Sequence, residues 1–333
     1  MRRSVSAIML ALAAGIVGPA ASAAASTKLL AAPRPQDFGV RLVDVPVSEA
    51  NNPRALRYIV DYLPTGTVIH RRILIMNQES RPVRFTVYPD AAAIANGLFT
   101  GDAGATRNEL TGWISVRHPA VTLAPGASAT DTITIKVPAG ATRGEHYGVI
   151  WVQQTARAHA AGGFGVTEVS RVGIRVYLAV GKGGAPPTNF AIASLTARRS
   201  ASGQPLIVAH VDNTGGRAVD LDGSARLAGG PGNSSAGPFP ARQIITLAPG
   251  QTGNMTFALP KTLPAGSWRV TVNLVSGITT CTATATIQFG PVVAARTGLS
   301  EMAWTGIALG AFFVLALAVV MVRYARQHRT MTA

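Results

Sequence analysis

The sequence predicts an all-β protein: two tandem immunoglobulin-like β-sandwiches plus one C-terminal transmembrane helix. Many short segments rich in β-branched and aromatic residues are separated by Gly, Pro, Asn and Asp, which is typical of strands and turns. No long amphipathic helical period occurs outside the C-terminal region. There, the uncharged residues 304–322 form an apolar run about long enough to cross a bilayer.

Both ends of the chain are typical of an exported membrane protein. A basic N-terminus, an apolar stretch and small residues at Ala23 and Ala25 predict that residues 1–25 are a signal peptide. Residues 302–322 are the predicted transmembrane helix, and the arginines of residues 323–333 predict a basic cytoplasmic tail. The predicted localisation is therefore the cell membrane, single-pass, with the N-terminal ectodomain outside.

The first predicted sandwich occupies residues 36–181. Its predicted strands cover residues 67–76, 83–88, 130–137, 147–152 and 172–180. They alternate with turn residues, as the strands of a sandwich do. A Gly- and Pro-rich segment at 181–187 then breaks the pattern and predicts a linker.

The second predicted sandwich occupies residues 188–290. Its predicted strands cover residues 206–211, 243–247, 255–259, 268–274 and 281–289. The Gly- and Ser-rich segment 229–237 is predicted to be a flexible loop and not a strand. Cys281, the one cysteine of the sequence, lies in a period-2 pattern and is predicted to be a buried strand residue rather than a reactive thiol.

The two halves share a repeated pattern. The tetrapeptide Leu-Ala-Pro-Gly at residues 123–126 recurs at 247–250, and each copy precedes a strand that ends in a proline. Asn77 ends one predicted strand, and Asn213 ends its counterpart in the second half. This repetition favours a duplicated sandwich.

The composition is strongly basic. The sequence has 30 Lys and Arg residues against 15 Asp and Glu residues, for a formal net charge of +15. Such a charge favours anionic partners, and predicted export argues against nucleic acid among them. Peptidoglycan, an anionic wall polymer and membrane lipid contacted through the C-terminal helix are the predicted partners, beside a surface protein partner.

No catalytic pattern is evident in the sequence. It lacks a Gly-x-Ser-x-Gly elbow, a His-Glu-x-x-His motif and a phosphate-binding loop. The adjacent Glu145 and His146 should point to opposite faces of a strand. A non-enzyme with no cofactor, catalytic residue or metal site is predicted.

Several short motifs of the first half occur in a characteristic order. In chain order they are Tyr-Ile-Val-Asp at 58–61, Pro-Thr-Gly at 64–66, a strand ending at Asn77, residues 91–97, 110–113 and 123–126, Val-Pro at 137–138, and Gly-Glu-His-Tyr-Gly at 144–148. This order resembles the N-terminal domain of the WxL-interacting proteins of Gram-positive cell surfaces. The resemblance implies a peptidoglycan-binding domain, a second immunoglobulin-like domain that engages partner proteins, and a membrane anchor.

A binding site on this domain would need hydrogen-bonding side chains beside an aromatic face. The candidate wall-binding residues are Asn96, Asp102, Asn108, Glu109, Trp113 and Tyr147. Most of them lie in one long connection, of a length at which loops tend to be functional. The alternative is that Trp113 closes the core and that Asn96 and Gly97 form only a turn.

Two function classes follow. The first is a membrane-anchored extracellular cell-wall binding protein that presents its second domain to a protein partner. The alternative is a non-catalytic scaffold or spacer subunit of a cell-surface complex, or a chaperone that lends a strand edge to exported partners.

Overall fold

The computed structural model describes residues 38–159, 165–290 and 317–321. Within them, two hydrophobic cores form, one from residues between Phe38 and Val180 and the other from residues between Phe190 and Phe289. Each core lies between two β-sheets. The predicted all-β class with two sandwiches is therefore confirmed.

The first sandwich is built from ten strands and two short 3₁₀ helices. The strands are β1 (Phe38–Leu42), β2 (Ile59–Leu63), β3 (Val68–Asn77), β4 (Val83–Ala95), β5 (Leu98–Gly101), β6 (Ile114–Val116), β7 (Ala120–Leu123), β8 (Ser128–Lys136), β9 (Gly144–His159) and β10 (Gly165–Val180). The 3₁₀ helices are Val47–Glu49 and Leu110–Trp113. One sheet has the order β1-β3-β8-β6; in the other, β2-β10-β9-β4 is extended by β5 and β7, which both pair with β4.

The second sandwich is built from eight strands. They are β11 (Ala191–Arg199), β12 (Pro205–Asp212), β13 (Val219–Gly230), β14 (Ser234–Pro240), β15 (Ile245–Leu247), β16 (Thr252–Ala258), β17 (Gly266–Ser276) and β18 (Thr279–Phe289). Its sheets have the orders β11-β12-β16 and β14-β13-β17-β18, with β15 paired to β13. A short 3₁₀ helix, Pro231–Asn233, joins β13 to β14.

Alternation along the strands explains why these segments pair. In β12, buried and half-buried residues alternate without a break, and β8 buries every second residue from Asp131 onward. This period of two places one face of each strand on a core. Cys281 fits the same pattern, because it lies half-buried on β18 against the second core.

The segment 229–237 is not the loop that its composition predicts. Residues 234–237 open strand β14, which pairs antiparallel with β13, for example Ala225 with Phe239. The prediction was wrong because Gly and Pro are tolerated in a strand at the edge of a sheet, where one row of backbone groups needs no partner.

The predicted signal peptide, residues 1–25, lies outside the described residues. So does most of the predicted transmembrane helix, of which only residues 317–321 are described, as a short helix. Among the residues that the structure describes, no helix combines the length and the apolar character needed to cross a membrane.

Candidate functional site

The longest structural feature of the first sandwich is the hairpin of β9 and β10. The two strands pair antiparallel over their full lengths, from Gly165 opposite His159 to Val180 opposite Gly144. On the far side of β10, strand β2 pairs with it in parallel only from Val176 to Val180. Ahead of Val176, no strand in the described part of the chain is hydrogen-bonded to this side of β10, although β1 of the opposing sheet contacts β10.

We call the outer side of residues 165–175 the β10 edge. Eleven residues at about 3.3 Å each make this edge roughly 36 Å long. It contains neither proline nor lysine, two devices by which proteins protect a strand edge from pairing. The backbone of the β10 edge can therefore accept an extended chain as an additional strand.

The side chains of the β10 edge differ between its two faces. Val172 and Ile174 face the first core, and Ile174 is fully buried there. On the opposite face, Val169 is 43% exposed. Arg171 is held by Gln153 of β9, to whose Oε1 its Nε donates a hydrogen bond of 2.7 Å.

Other edges among the described strands are short or covered. Strand β1 has five residues and β6 has three. Strand β14 carries Pro238 and Pro240, and β18 lies against β11 of the opposing sheet. The β10 edge is longer than β1, β6 and β14 and matches β18, which also has eleven residues; β1 of the opposing sheet contacts β10 as β11 contacts β18.

A buried polar cluster joins the first sandwich to the second. Arg54, just ahead of β2, pairs with Asp220 of β13 at an Nε to Oδ2 distance of 2.5 Å. Its guanidinium carbon also lies 4.0 Å from the centre of the Tyr177 ring of β10. Although burial opposes the charged form, Asp220 and other neighbours raise the pKa of Arg54, so the guanidinium is cationic.

Asp220 is the hub of this cluster. Its Oδ1 accepts hydrogen bonds from Thr246 Oγ1 at 2.7 Å, Tyr177 Oη at 3.1 Å and Arg175 Nη1 at 3.3 Å. Burial raises the pKa of the Tyr177 phenol, so this side chain is a neutral donor. The carboxylate therefore gathers groups from both sandwiches.

A second set of contacts crosses the junction near the β4–β5 hairpin. The Thr246 amide donates to the Gly97 carbonyl at 2.8 Å, and Gln251 Nε2 donates to the Ile94 carbonyl at 3.1 Å. Glu145 Oε2 accepts the Ala218 amide at 2.5 Å. Backbone and side-chain bonds together fix the two sandwiches against each other.

Of the sequence-predicted site residues, Asn96 and Tyr147 lie near this junction, whereas Asp102 follows β5. Asn96, with φ of 52°, and Gly97, with φ of 75°, form the two-residue turn between β4 and β5, as expected of a tight hairpin. The Asp102 carbonyl accepts the Trp151 indole N–H at 2.9 Å. The Tyr147 hydroxyl donates to Glu145 Oε2 at 2.8 Å.

The other three predicted site residues take part in packing within the first sandwich. Asn108 donates to the Tyr147 carbonyl at 2.8 Å and caps the turn at Thr111. Glu109 Oε1 accepts the Thr142 amide at 3.0 Å. Trp113 is 8% exposed, belongs to the first core and stacks edge-on against His146. The side chains of the six residues thus do not form one common surface.

Sequence reasoning missed both the junction cluster and the β10 edge. Arg54, Tyr177 and Asp220 are far apart in the chain and belong to no motif. The first half of β10 follows a Gly-rich stretch, so the predicted strand began only at residue 172. Within the described residues, no group of three or more His, Cys, Asp or Glu side chains could hold a metal ion.

No protein-family model and no curated protein matches the chain. Solved structures that it is similar to include the YadV chaperone, with 11% identity, coverage of 75% of this chain and 99% of that chain, and a TM-score of 0.41. The E. coli chaperone DraB has 12% identity, coverage of 76% and 98%, and a TM-score of 0.38. A complex of the Salmonella enterica SafA pilin with the SafB chaperone has 10% identity, coverage of 74% and 97%, and a TM-score of 0.39. At sequence identities this low, the similarity concerns the fold alone.

These comparisons correct several predictions. The resemblance to WxL-interacting proteins is wrong, since no family model supports it and the similar structures are chaperones. Peptidoglycan, an anionic wall polymer and membrane lipid are not retained as partners, since the similar solved structures reported above are chaperones, one of them in complex with a pilin. The Gram-positive cell-wall assignment is withdrawn with the WxL resemblance, and the similar solved structures include chaperones of E. coli and Salmonella enterica. The predicted single-pass membrane location is not retained either, since the solved structures that the chain is similar to are chaperones.

Proposed function

We propose that this protein is a non-catalytic binding protein of the chaperone type, which holds an extended segment of a partner protein by strand addition to the β10 edge. The observation that carries the proposal is the absence of a neighbouring strand ahead of Val176, along the described part of a 16-residue strand. Backbone hydrogen bonds would supply affinity largely independent of partner sequence, each contributing about 0.5–1.5 kcal/mol.

The inner face of the sandwich would supply selectivity. Strand β1 of the opposing sheet contacts β10, and Val40 and Val172 are only partly buried against the first core. Every second side chain of an added strand would point towards this end of the core. A partner segment with alternating apolar residues is therefore the expected occupant.

The rest of the fold would hold the β10 edge in place. Val176 to Val180 are clamped between β2 and β9, and Arg175 and Tyr177 are bonded to Asp220 of the second sandwich. A binding edge that is fixed before the partner arrives loses less conformational entropy on binding.

One observation favours a second function, that of a scaffold or spacer subunit. The junction is bonded at several points, including Arg54 to Asp220 and Thr246 to Gly97, so the two sandwiches are held against each other. A pure spacer would present this pair of sandwiches without using the β10 edge.

The test is site-specific photo-crosslinking followed by hydrogen exchange. A photoreactive residue at Val169 should capture a partner in the native host, whereas the same residue at Thr286, on the outer face of β18, should not. In the purified complex, the amides of residues 167–175 should gain protection from exchange. Protection confined to other surfaces, or equal capture at Thr286, would support the spacer function instead.

Proline substitution gives the matched control. Adjacent residues of a strand direct their amides to opposite sides, so one of Val169→Pro and Ser170→Pro removes an outward amide while the other disturbs pairing with β9. The outward variant should keep the wild-type melting temperature and lose the partner. Undiminished binding by both variants would overturn strand addition.

A further inference from the structure

The outer face of the sheet carries an aromatic side chain one strand away from the β10 edge. Trp151 of β9 lies directly opposite Gly173 of β10. Its neighbours Ile150 and Val152 are buried in the first core, so Trp151 points away from that core. Trp151 is half-buried and Gly173 is exposed. The indole therefore lies on the outer surface, beside an exposed glycine of the β10 edge.

The indole fills the space that a side chain at position 173 would take. A Cβ added to Gly173 would lie 2.6 Å from Trp151 Cε3 and 2.8 Å from Cζ3. These two atoms belong to the six-membered ring, whose edge thus points towards the β10 edge. In a sheet, the Cβ atoms of directly opposite residues are about 4.5–5.5 Å apart. A large side chain of an added strand, next to Gly173, would therefore contact the indole directly across the glycine.

The far side of the indole is held by β5 and the residue after it. The indole Nε1 donates to the Asp102 carbonyl at 2.9 Å. A Cβ added to Gly101 would lie 2.9 Å from Trp151 Cζ2, so the ring also lies close against this second glycine. A contact surface that is fixed before the partner arrives loses less conformational entropy on binding.

The charge of the outer face is positive beside this ring. From residue 167 to residue 173, the outward positions of the β10 edge are Thr167, Val169, Arg171 and Gly173, which include a cation and no acid. Arg171 occupies the outward position before Gly173, about 6.6 Å away along the strand, and Gln153 holds it there. Charge complementarity favours an acidic residue of the added strand next to Arg171.

We infer that Trp151 and Arg171 select the partner of the β10 edge, which is an extended segment with an aromatic residue beside Gly173 and an acidic residue beside Arg171. Both partner residues lie on the outer face, two positions apart. An aromatic ring suits the first position because the indole offers its edge, and edge-to-face ring pairs are favourable. This inference rests on the proposed strand addition and specifies which segment the edge prefers.

The test uses the full-length protein and fluorophore-labelled synthetic peptides as long as the β10 edge. The reference peptide alternates valine with threonine. In the two test peptides, Glu and Trp replace two successive threonines, with Glu first for parallel addition and Trp first for antiparallel addition. By fluorescence anisotropy, one test peptide should bind about two- to tenfold more tightly than its counterpart with Thr in place of Trp. Lys in place of Glu should also weaken binding.

Hydrogen exchange distinguishes failure of this inference from failure of strand addition. If the reference peptide protects the amides of residues 167–175 and binds as tightly as both test peptides, strand addition stands and selection by Trp151 is overturned. Absence of protection with every peptide would overturn both.

A second readout uses the wild-type sequence and does not depend on the folding of a variant. In protein labelled with fluorotryptophan, the fluorine resonance of Trp151 should shift with the tighter-binding test peptide and not with its Thr counterpart. The resonance of Trp268, which is buried in the second core, should stay unchanged with both. Equal shifts of Trp151 with the two peptides would overturn the contact.

Variants assign the preference to the indole. Trp151→Leu should bind the Trp peptide and its Thr counterpart equally. Thr86→Val, at an exposed position of β4 on the same outer face, should keep the wild-type preference. A preference for Trp that survives in Trp151→Leu would overturn the role of Trp151.

Discussion

Arg54 of the first sandwich and Asp220 of the second form a buried ion pair across the junction, with side chains 6% and 12% exposed and an Nε to Oδ2 distance of 2.5 Å. Thr246 and Tyr177 complete the coordination of the carboxylate. A buried ion pair contributes little net stability by itself, but removal of one partner leaves the other charge uncompensated. The junction is therefore sensitive to single substitutions.

Asp220→Asn should lower the free energy of unfolding by about 3–5 kcal/mol, because Arg54 would keep its charge in a buried position without a counter-ion. Urea unfolding measures the change. Asp222→Asn is the matched control, since Asp222 lies on the same strand with its side chain exposed. If the junction couples the sandwiches, Asp220→Asn should also split one unfolding transition into two. Equal stability of the two variants would show that the pair is dispensable.

Glu145 should make stability depend on pH. Burial raises the pKa of Glu145 above its ordinary value of 4.5, although Arg54 and the donors from Tyr147 and Ala218 oppose the shift. The folded protein thus holds this proton more tightly than the unfolded chain does. The part of the free energy of unfolding that comes from this proton is therefore fully present below pH 4.5. It is lost as the pH rises through the folded-state pKa of Glu145.

Glu145→Gln should flatten this part of the pH profile, because the amide oxygen still accepts hydrogen bonds and does not ionise. Chemical unfolding at a series of pH values measures the slope. Asp44→Asn is the control, because the stability that Asp44 contributes changes with pH in the opposite direction. A hydrogen bond from Arg72 lowers the pKa of Asp44, so its stabilisation is lost as pH falls through that lowered pKa. A Glu145→Gln profile parallel to that of the wild type would contradict the prediction.

The repeated asparagines have the same role in both sandwiches. Asn77 Nδ2 donates to the carbonyls of Arg81, Leu123 and Ala124, and Asn213 Nδ2 donates to those of Arg217 and Leu247. Each Oδ1 also accepts an amide two residues later, at 3.0 Å. Each side chain therefore fastens the turn after its own strand to the start of the Leu-Ala-Pro-Gly turn.

Asn77→Asp and Asn213→Asp should each lower the free energy of unfolding by about 2–4 kcal/mol, because a carboxylate cannot donate and would face two or more carbonyl oxygens. Thermal unfolding near neutral pH measures this. Asn273→Asp, at an exposed position of β17, should change stability by less than about 0.5 kcal/mol. A similar small effect at Asn77 would argue against the fastening role.

Local pattern predicted those parts of the fold in which burial alternates along a strand. The predicted strand at 206–211 became β12 because Ile207, Ala209 and Val211 form one buried face. Strand β13 was missed because Gly, Ser and Ala obscure its period of two. The contact between Arg54 and Asp220 leaves no local trace, since it depends on how two separately folded sandwiches meet. The β10 edge is open because no strand besides β9 pairs with the first part of β10 among the described residues. This depends on how the whole sheet is arranged, and no single stretch of sequence predicts it.

Gly173 is predicted to be required by the side chain of Trp151 on the neighbouring strand. An added Cβ at Gly173 would lie 2.6 Å from Trp151 Cε3 and 2.7 Å from Val149 Cγ2, both closer than real contacts allow. Gly173→Ala should push the indole away and break its bond to the Asp102 carbonyl, at a cost of about 1–3 kcal/mol. Thermal unfolding and tryptophan fluorescence measure both effects.

The control for this prediction is Gly140→Ala, where an added Cβ meets nothing within 4 Å. A double-mutant cycle then separates the clash from the intrinsic effect of alanine in a strand. In a Trp151→Ala background, Gly173→Ala should cost less than in the wild type, because only the close contact with Val149 Cγ2 would remain. An undiminished cost in that background would mean that the glycine is needed by Val149 or by the β10 backbone and not by the tryptophan.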